Sequence, residues 1–119
     1  MHRCFLGAKL HRVVITGADL DYVGSITIDA DLLHLSGILP GERVLVADLE
    51  SGQRFETYVL EGERGSGTIC INGAAARLVH PGDRAIVLQF VWVSGSEAPP
   101  VPRVVVADDA NRNPRLLET

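Results

Sequence analysis

The chain has 119 residues, 46% of them hydrophobic and only 5% aromatic, which suits one small aliphatic core and excludes two independent ones. Its formal net charge is -4 with acids and bases interspersed, so the broad basic footprint of a phosphate-tracking protein is absent and no nucleic acid is expected as a partner. Lys9, His11 and Arg12 interrupt the opening apolar stretch, no small-residue cleavage site follows, and no apolar run is long enough to cross a bilayer, so a cytoplasmic protein without membrane association is expected.

Taken in chain order, Arg3 to Thr16 is rich in apolar and β-branched residues and predicts a long strand or a bent pair, with Lys9 and His11 on one face of it. A polar turn around Ala18 to Asp21 leads to a strand over Ser25–Ile28. Asp29 or Asp31 can then cap a short helix that runs through Ser36 and ends at Gly37. Pro40 and Gly41 turn the chain into a strand over Arg43–Leu49, and Ser51 and Gly52 join it to a partner over Gln53–Leu60. In that partner Phe55, Thr57 and Val59 share one face, while Arg54, Glu56 and Tyr58 share the other. The loop Glu61–Gly67 precedes a strand over Thr68–Ile71, a short helix from Gly73 to about Leu78, a turn at Pro81 and Gly82, and a strand over Arg84–Val93.

Pro40-Gly41-Glu42-Arg43-Val44-Leu45-Val46 recurs as Pro81-Gly82-Asp83-Arg84-Ala85-Ile86-Val87, and each copy follows a strand and a short helix. Two units are too few for a solenoid, so their strands are expected to close as a small barrel of about six or seven strands with pseudo-twofold symmetry. The other reading is that proline, glycine, an acid and arginine are ordinary turn chemistry that has arisen twice. Beyond Ser94 the proline-rich stretch 95–119 reads as a C-terminal extension, partly mobile in its last ten or so residues, with Val104 to Val106 as an edge or intersubunit strand. Cys4 and Cys70 stand in strand-like apolar settings without the paired spacing of a metal or redox site, and both are expected to be buried thiols. His2, His34 and His80 show no metal-ligand spacing either, so no metal is expected, and His11 reads as a structural hydrogen-bonder.

Several short motifs carry chemistry. Gly24-Ser25 is by itself a common turn dipeptide, but a residue without Cβ leaves its carbonyl open to attack, and a serine hydroxyl next to it can make that attack. Arg54 offers a planar fork to a carboxylate, with Lys9 as a second cation; either could equally be a solvated surface charge. Tyr58 shares the Arg54 face, and Thr57 taken alone is explained by strand propensity. Asn72, Gly73, Ala74 and Ala75 open the second short helix, where free backbone N–H groups and small side chains allow close approach, though they also suit tight packing.

Tyr22-Val23-Gly24-Ser25, Arg54-Phe55-Glu56-Thr57-Tyr58, Asn72-Gly73-Ala74-Ala75-Ala76 and Gly7-Ala8-Lys9-Leu10-His11-Arg12-Val13 together resemble the bacterial aspartate 1-decarboxylase family, from the N-terminus to about Phe90. The resemblance implies a double-psi β-barrel over residues 1–94, mainly β with two short helices and assembled as a homotetramer. It implies self-cleavage between Gly24 and Ser25 into chains 1–24 and 25–119, with Thr57 assisting and Ser25 becoming a covalent pyruvoyl group. L-Aspartate then yields β-alanine and carbon dioxide for pantothenate synthesis, through a Schiff base, with Tyr58 as proton donor and Arg54, Lys9, Thr57 and Asn72 to Ala75 holding substrate. Decarboxylation of an amino acid needs an electron sink, and the glycines from Gly62 to Gly67 lack a P-loop's Lys and Ser/Thr, so a built-in carbonyl replaces pyridoxal phosphate (PLP). Some relatives rely on a maturation factor and many cleave unaided; slow unaided cleavage is expected here. Glu56 stands where the family pattern suggests a small polar residue, and the stretch after Val93 departs from it. The rival readings are a barrel that only binds a partner, a hydrolase with Ser25 as an exposed N-terminal nucleophile, and a DNA-binding barrel dimer that the acidic balance disfavours.

Overall fold

A computed structural model describes residues 1–117. The elements in order are β1 (His2–Val14), β2 (Gly17–Asp19), β3 (Ile26–Asp29), α1 (Ala30–Ser36), β4 (Arg43–Asp48), β5 (Arg54–Gly62), β6 (Ile69–Asn72), a 3₁₀ helix (Gly73–Leu78), β7 (Arg84–Ser94), β8 (Arg103–Val106) and β9 (Arg115–Leu116). The strands form one sheet in the order β2-β6-β3-β5-β4-β7-β1-β8-β9. β1 runs on into β2 through Ile15 and Thr16, whose N–H groups donate to the carbonyls of Asp83 and Ile69 at 2.9 and 2.8 Å, so the chain itself ties the β1 side of the sheet to the β6 side and closes a barrel. The fold is therefore mainly β, a small barrel with two short helices, as the motifs imply. Leu10, Ile15, Ile26, Ile28, Val46 and Ile71 fill its interior, and each contributes about 1.5–3 kcal/mol through loss of contact with water.

The two units are related in space as well as in sequence. β3 lies parallel to β5, β6 lies parallel to β2, and β3 and β6 run antiparallel to each other with Thr27 opposite Cys70. Helix α1 starts at Asp29, whose carboxylate accepts the Asp31 N–H at 2.8 Å, and ends at Gly37, which is left-handed at φ 80 and donates to the Leu33 carbonyl. Asp29 also accepts from Gly65 and Gly67, so one buried carboxylate both caps the helix and fixes the glycine-rich loop.

Two parts of the chain differ from expectation. Cys4 is exposed, because the first residues of β1 pair with the end of β7 as a ribbon that continues past the core; Phe90 and Trp92 are exposed for the same reason. Within the C-terminal extension, hydrogen bonds join the stretch Asp108 to Asn113 to the barrel. Asn111 is buried, accepts from the Val14 N–H, and donates to the carbonyls of Val14 and Gly67 at 2.7 and 2.8 Å. β8 is no free edge, since it pairs with β1 on one side and β9 on the other. Positions 118 and 119 of that extension lie outside the described residues.

The repeated turn is built the same way twice, which decides against a coincidence of turn residues. Glu42 accepts the Leu39 N–H at 2.8 Å, and Asp83 accepts the His80 N–H at 3.0 Å. The next partner breaks the symmetry. Gln89 donates its amide to both oxygens of Glu42 at 3.0 and 3.1 Å. Asp48 takes the corresponding place beside Asp83, with one oxygen accepting from Glu50 and Ser51 and the other buried with no N–H to accept. Burial first, and then the facing Asp83 carboxyl, push the Asp48 carboxyl above its usual range, since both disfavour its charged form. The folded chain thus holds the Asp48 proton more tightly than the unfolded chain. The stabilisation is fully present below the ordinary carboxylate range and is lost as pH rises through the raised Asp48 value. Asp48→Asn removes this titration, so thermal melts across pH should show a smaller decline over that window than the native chain; an unchanged pH profile would contradict the raised Asp48 value.

Candidate active site

Gly24 and Ser25 enter β3 in an unusual backbone conformation. Both have positive φ, 58 for Gly24 and 88 for Ser25, and such values are uncommon for a serine. Ser25 is only 1% exposed, so its strain is held by packing and hydrogen bonding and not relieved at a surface. Asn72 provides the hold. Its backbone N–H donates to the Ser25 carbonyl at 2.9 Å, and its side-chain amide donates to Ser25 Oγ at 2.9 Å and to Thr27 Oγ1 at 3.1 Å. Asn72 occupies the N-cap position of the 3₁₀ helix yet makes no side-chain cap bond, because its amide is turned into this cluster.

The other side of the Gly24–Ser25 peptide is set by glycine and tyrosine. Gly73 has φ 74, and a Cβ there would lie 2.7 Å from both the Cα and the N of Gly24, so only glycine lets the two backbones meet. Tyr58 packs over Gly24: a Cβ on Gly24 would lie 3.7 Å from its ring and hydroxyl. The Tyr58 hydroxyl donates to the Val23 carbonyl at 2.9 Å while the residue stays 42% exposed, which leaves the ring both fixed and accessible.

Among the sequence-predicted residues, the structure therefore gathers Gly24, Ser25, Tyr58, Asn72 and Gly73. Arg54 lies on the Tyr58 face of β5, about 13 Å along the strand by the usual rise per residue, and makes no ion pair among the described residues. Glu56 between them pairs with Arg43 at 3.5 Å, an exposed pair of little energetic weight. Thr57 is half-buried on the opposite face of β5, paired across to Val44, and its hydroxyl makes no hydrogen bond among the described residues. Ala74 is exposed and Ala75 half-buried on the first turn of the 3₁₀ helix. Lys9 is not brought to Ser25: it sits on β1 between Leu88 of β7 and Val104 of β8, and in the sheet order β4 and β7 separate β1 from β5. The His11 pKa is lowered by burial and then by Lys9 and Arg12, and its buried Nδ1 has no hydrogen-bond partner among the described residues, contrary to the structural hydrogen-bonder expected.

Sequence reasoning missed Thr27 and Cys70, which complete the cluster around Asn72. The available signal was positional, since Ser25 and Thr27 share one face of β3 and Cys70 and Asn72 one face of β6, but the pairing of β3 with β6 is needed to see them meet. Of two surface clefts, the one of about 410 Å³ reaches the Tyr58 face of β5 at Glu56 and Arg43, the other is about 230 Å³, and neither is lined by Ser25.

In this small β-barrel a strained, buried serine follows a glycine, fixed by an asparagine amide and overlain by a tyrosine. Comparison with known proteins agrees with the motifs. The sequence profile described as aspartate decarboxylase matches residues 1–113. Over 113 residues the chain is 51% identical to an aspartate 1-decarboxylase of Corynebacterium efficiens, covering 94% of this chain and 83% of the relative. It is likewise 51% identical to an aspartate 1-decarboxylase of Neisseria meningitidis serogroup C, covering 94% of this chain and 89% of the relative. The chain belongs to the aspartate decarboxylase family, whose members are carboxy-lyases.

Gly73→Ala should destabilise the fold by roughly 1–3 kcal/mol in denaturant titration, since a Cβ must displace Gly24. Gly82→Ala is the control, because φ 98 there imposes the same kind of backbone cost with nothing within 4 Å. Equal losses in the two variants would show that the Gly73–Gly24 contact is not under constraint.

Proposed function

We propose that this chain decarboxylates L-aspartate to β-alanine and carbon dioxide with a pyruvoyl group that it makes from its own Ser25. The observation that carries the reading is the Gly24–Ser25 geometry: a buried serine at φ 88, its Oγ receiving an N–H, directly after a glycine whose backbone is pressed by Gly73. Ser25 Oγ attacks the Gly24 carbonyl carbon; the new C–O bond forms as the peptide C–N bond breaks, and the freed nitrogen takes the proton. Loss of the Ser25 Cα proton then expels the Gly24 carboxylate from Cβ, and water replaces the nitrogen as ammonia, which leaves a ketone at the new N-terminus. A strained ground state lowers the barrier to the first step, and the Asn72 N–H fixes the position of Oγ for the attack.

The residues present fit such a group, since Ser25 Oγ has a donor and the surrounding glycines admit a planar cap. The pyruvoyl carbonyl supplies the electron sink for the carbanion left when the α-carboxylate departs. Tyr58, fixed over Gly24 and still accessible, delivers a proton to carbon. Arg54, without a competing ion pair, holds the carboxylate that remains in β-alanine. Thr57 assists the cleavage, and the short side chains of Gly73, Ala74 and Ala75 leave room for substrate beside Asn72. Lys9 belongs to a distant part of the sheet, and Ser25 lines neither cleft, so a second copy in a homotetramer supplies Lys9 and the missing walls. The product feeds pantothenate synthesis in the cytoplasm, and maturation runs slowly without a separate factor.

Intact mass spectrometry under denaturing conditions, with borohydride reduction in the presence of aspartate, tests the reading. The expected result is two fragments split after Gly24, the larger lacking the mass of an N-terminal serine and carrying an aspartate-derived adduct. An intact N-terminal serine would point to a hydrolase, and a chain that stays whole after prolonged warming would overturn unaided cleavage. In the cleaved enzyme, Tyr58→Phe should lower turnover by about 10²- to 10⁴-fold, the usual scale for loss of a general acid. Steady-state rates of β-alanine formation check this, and a near-native rate would remove Tyr58 from the chemistry.

A further inference from the structure

The carboxamide of Asn72 has two nearly identical ends, and its partners decide which way round it lies. Ser25 Oγ and Thr27 Oγ1 are hydroxyls that can donate or accept, so they accommodate either orientation. The third partner is different: Cys70 Sγ donates to Asn72 Oδ1 at 3.4 Å. Burial, and then the charge of Asp19, push the Cys70 thiol up, which keeps it protonated as an S–H donor. Its place is built from both sides. Cys70 lies directly opposite Thr27 across the β3–β6 pair, and on the other side it faces Gly17 of β2, where a Cβ would come within 3.2 Å of Sγ.

The orientation matters for attack. With Oδ1 on the thiol, both N–H groups of Asn72 go to hydroxyl oxygens, so Ser25 Oγ is fixed through a lone pair while its O–H stays free to pass its proton to a base as Oγ attacks. With the amide reversed, Oδ1 would occupy the Ser25 O–H, and an amide oxygen is too weak a base to take that proton.

We propose that Cys70 is a positioning residue for self-cleavage: its S–H fixes the Asn72 amide with the N–H side turned to Ser25 Oγ. The inference rests on the self-processing reading above and adds a residue that neither touches the scissile bond nor belongs to the expected site.

The experiment follows loss of the full-length chain by mass spectrometry for the native protein, Cys70→Ala, Cys70→Val and Cys70→Ser, each with a thermal melt in parallel. A weak S–H···O bond converts to a rate effect of about two- to fivefold, so Cys70→Ala and Cys70→Val should cleave slower by that factor. Cys70→Ser, which keeps a donor, should recover most of the native rate even where its melting temperature falls with the others. A structural role alone would make the rate follow the melting temperature and not the presence of a donor. Where Cys70→Ala fails to fold, the Cys70→Val and Cys70→Ser pair makes the same comparison with the space filled. Native-like cleavage in the donor-less variants overturns the proposal, as does slow cleavage in a stable Cys70→Ser. A native chain that never cleaves is a separate result, which removes the self-processing reading and this inference with it.

Discussion

The Gly24–Ser25 peptide is held in a left-handed conformation by Asn72, which bonds the serine through backbone and side chain at once. A serine at φ 88 relaxes in an open loop, and here it does not because β3 and β6 are already paired through Ile26 and Ile71 when the strained residue enters the sheet. The core and the Gly24–Ser25 peptide thus share a constraint. The hydrophobic residues that bury β3 and β6 also fix the distance between Ser25 and Asn72, so the backbone strain at Ser25 is maintained by packing some residues away.

Pseudo-twofold symmetry explains how a short chain obtains both a frame and a site. Each unit supplies a strand, a short helix, the same turn and a returning strand, and the antiparallel β3–β6 contact lies where the units meet. Departures from the symmetry then carry the individuality of the molecule. One unit caps its helix with Asp29; the other leaves its helix uncapped and turns Asn72 to Ser25. One unit steadies its turn with the Gln89 amide; the other places Asp48 there, with one buried oxygen left without a partner among the described residues.

Exposed apolar residues gather where the barrel ends. Leu20, Tyr22 and Val23 precede the Gly24–Ser25 bond, and Phe90 and Trp92 line the ribbon that β1 and β7 extend past the core. Lys9 lies apart from Ser25 in the sheet order, on the strand that carries this ribbon.

The sequence by itself determined the elements and their faces. Period-two alternation set Arg54 and Tyr58 together, Asp29 and Gly37 bounded the first helix, and the repeated Pro-Gly turn announced two units, because each rests on local backbone preferences. Family membership was also legible, since the residues around Gly24 and Ser25, among other motifs, match those of the family. Only the tertiary structure decided what Asn72 does with its amide, that Cys70 and Thr27 meet it, that Asp48 faces Asp83, that Asn111 pins the C-terminal segment, and that Cys4 lies outside the core. These depend on strand pairings and buried polar contacts between residues far apart along the chain, as with Ser25 and Asn72. A buried hydrogen-bonding group takes whichever partner the closed barrel places within reach, and no local preference along the chain specifies that partner.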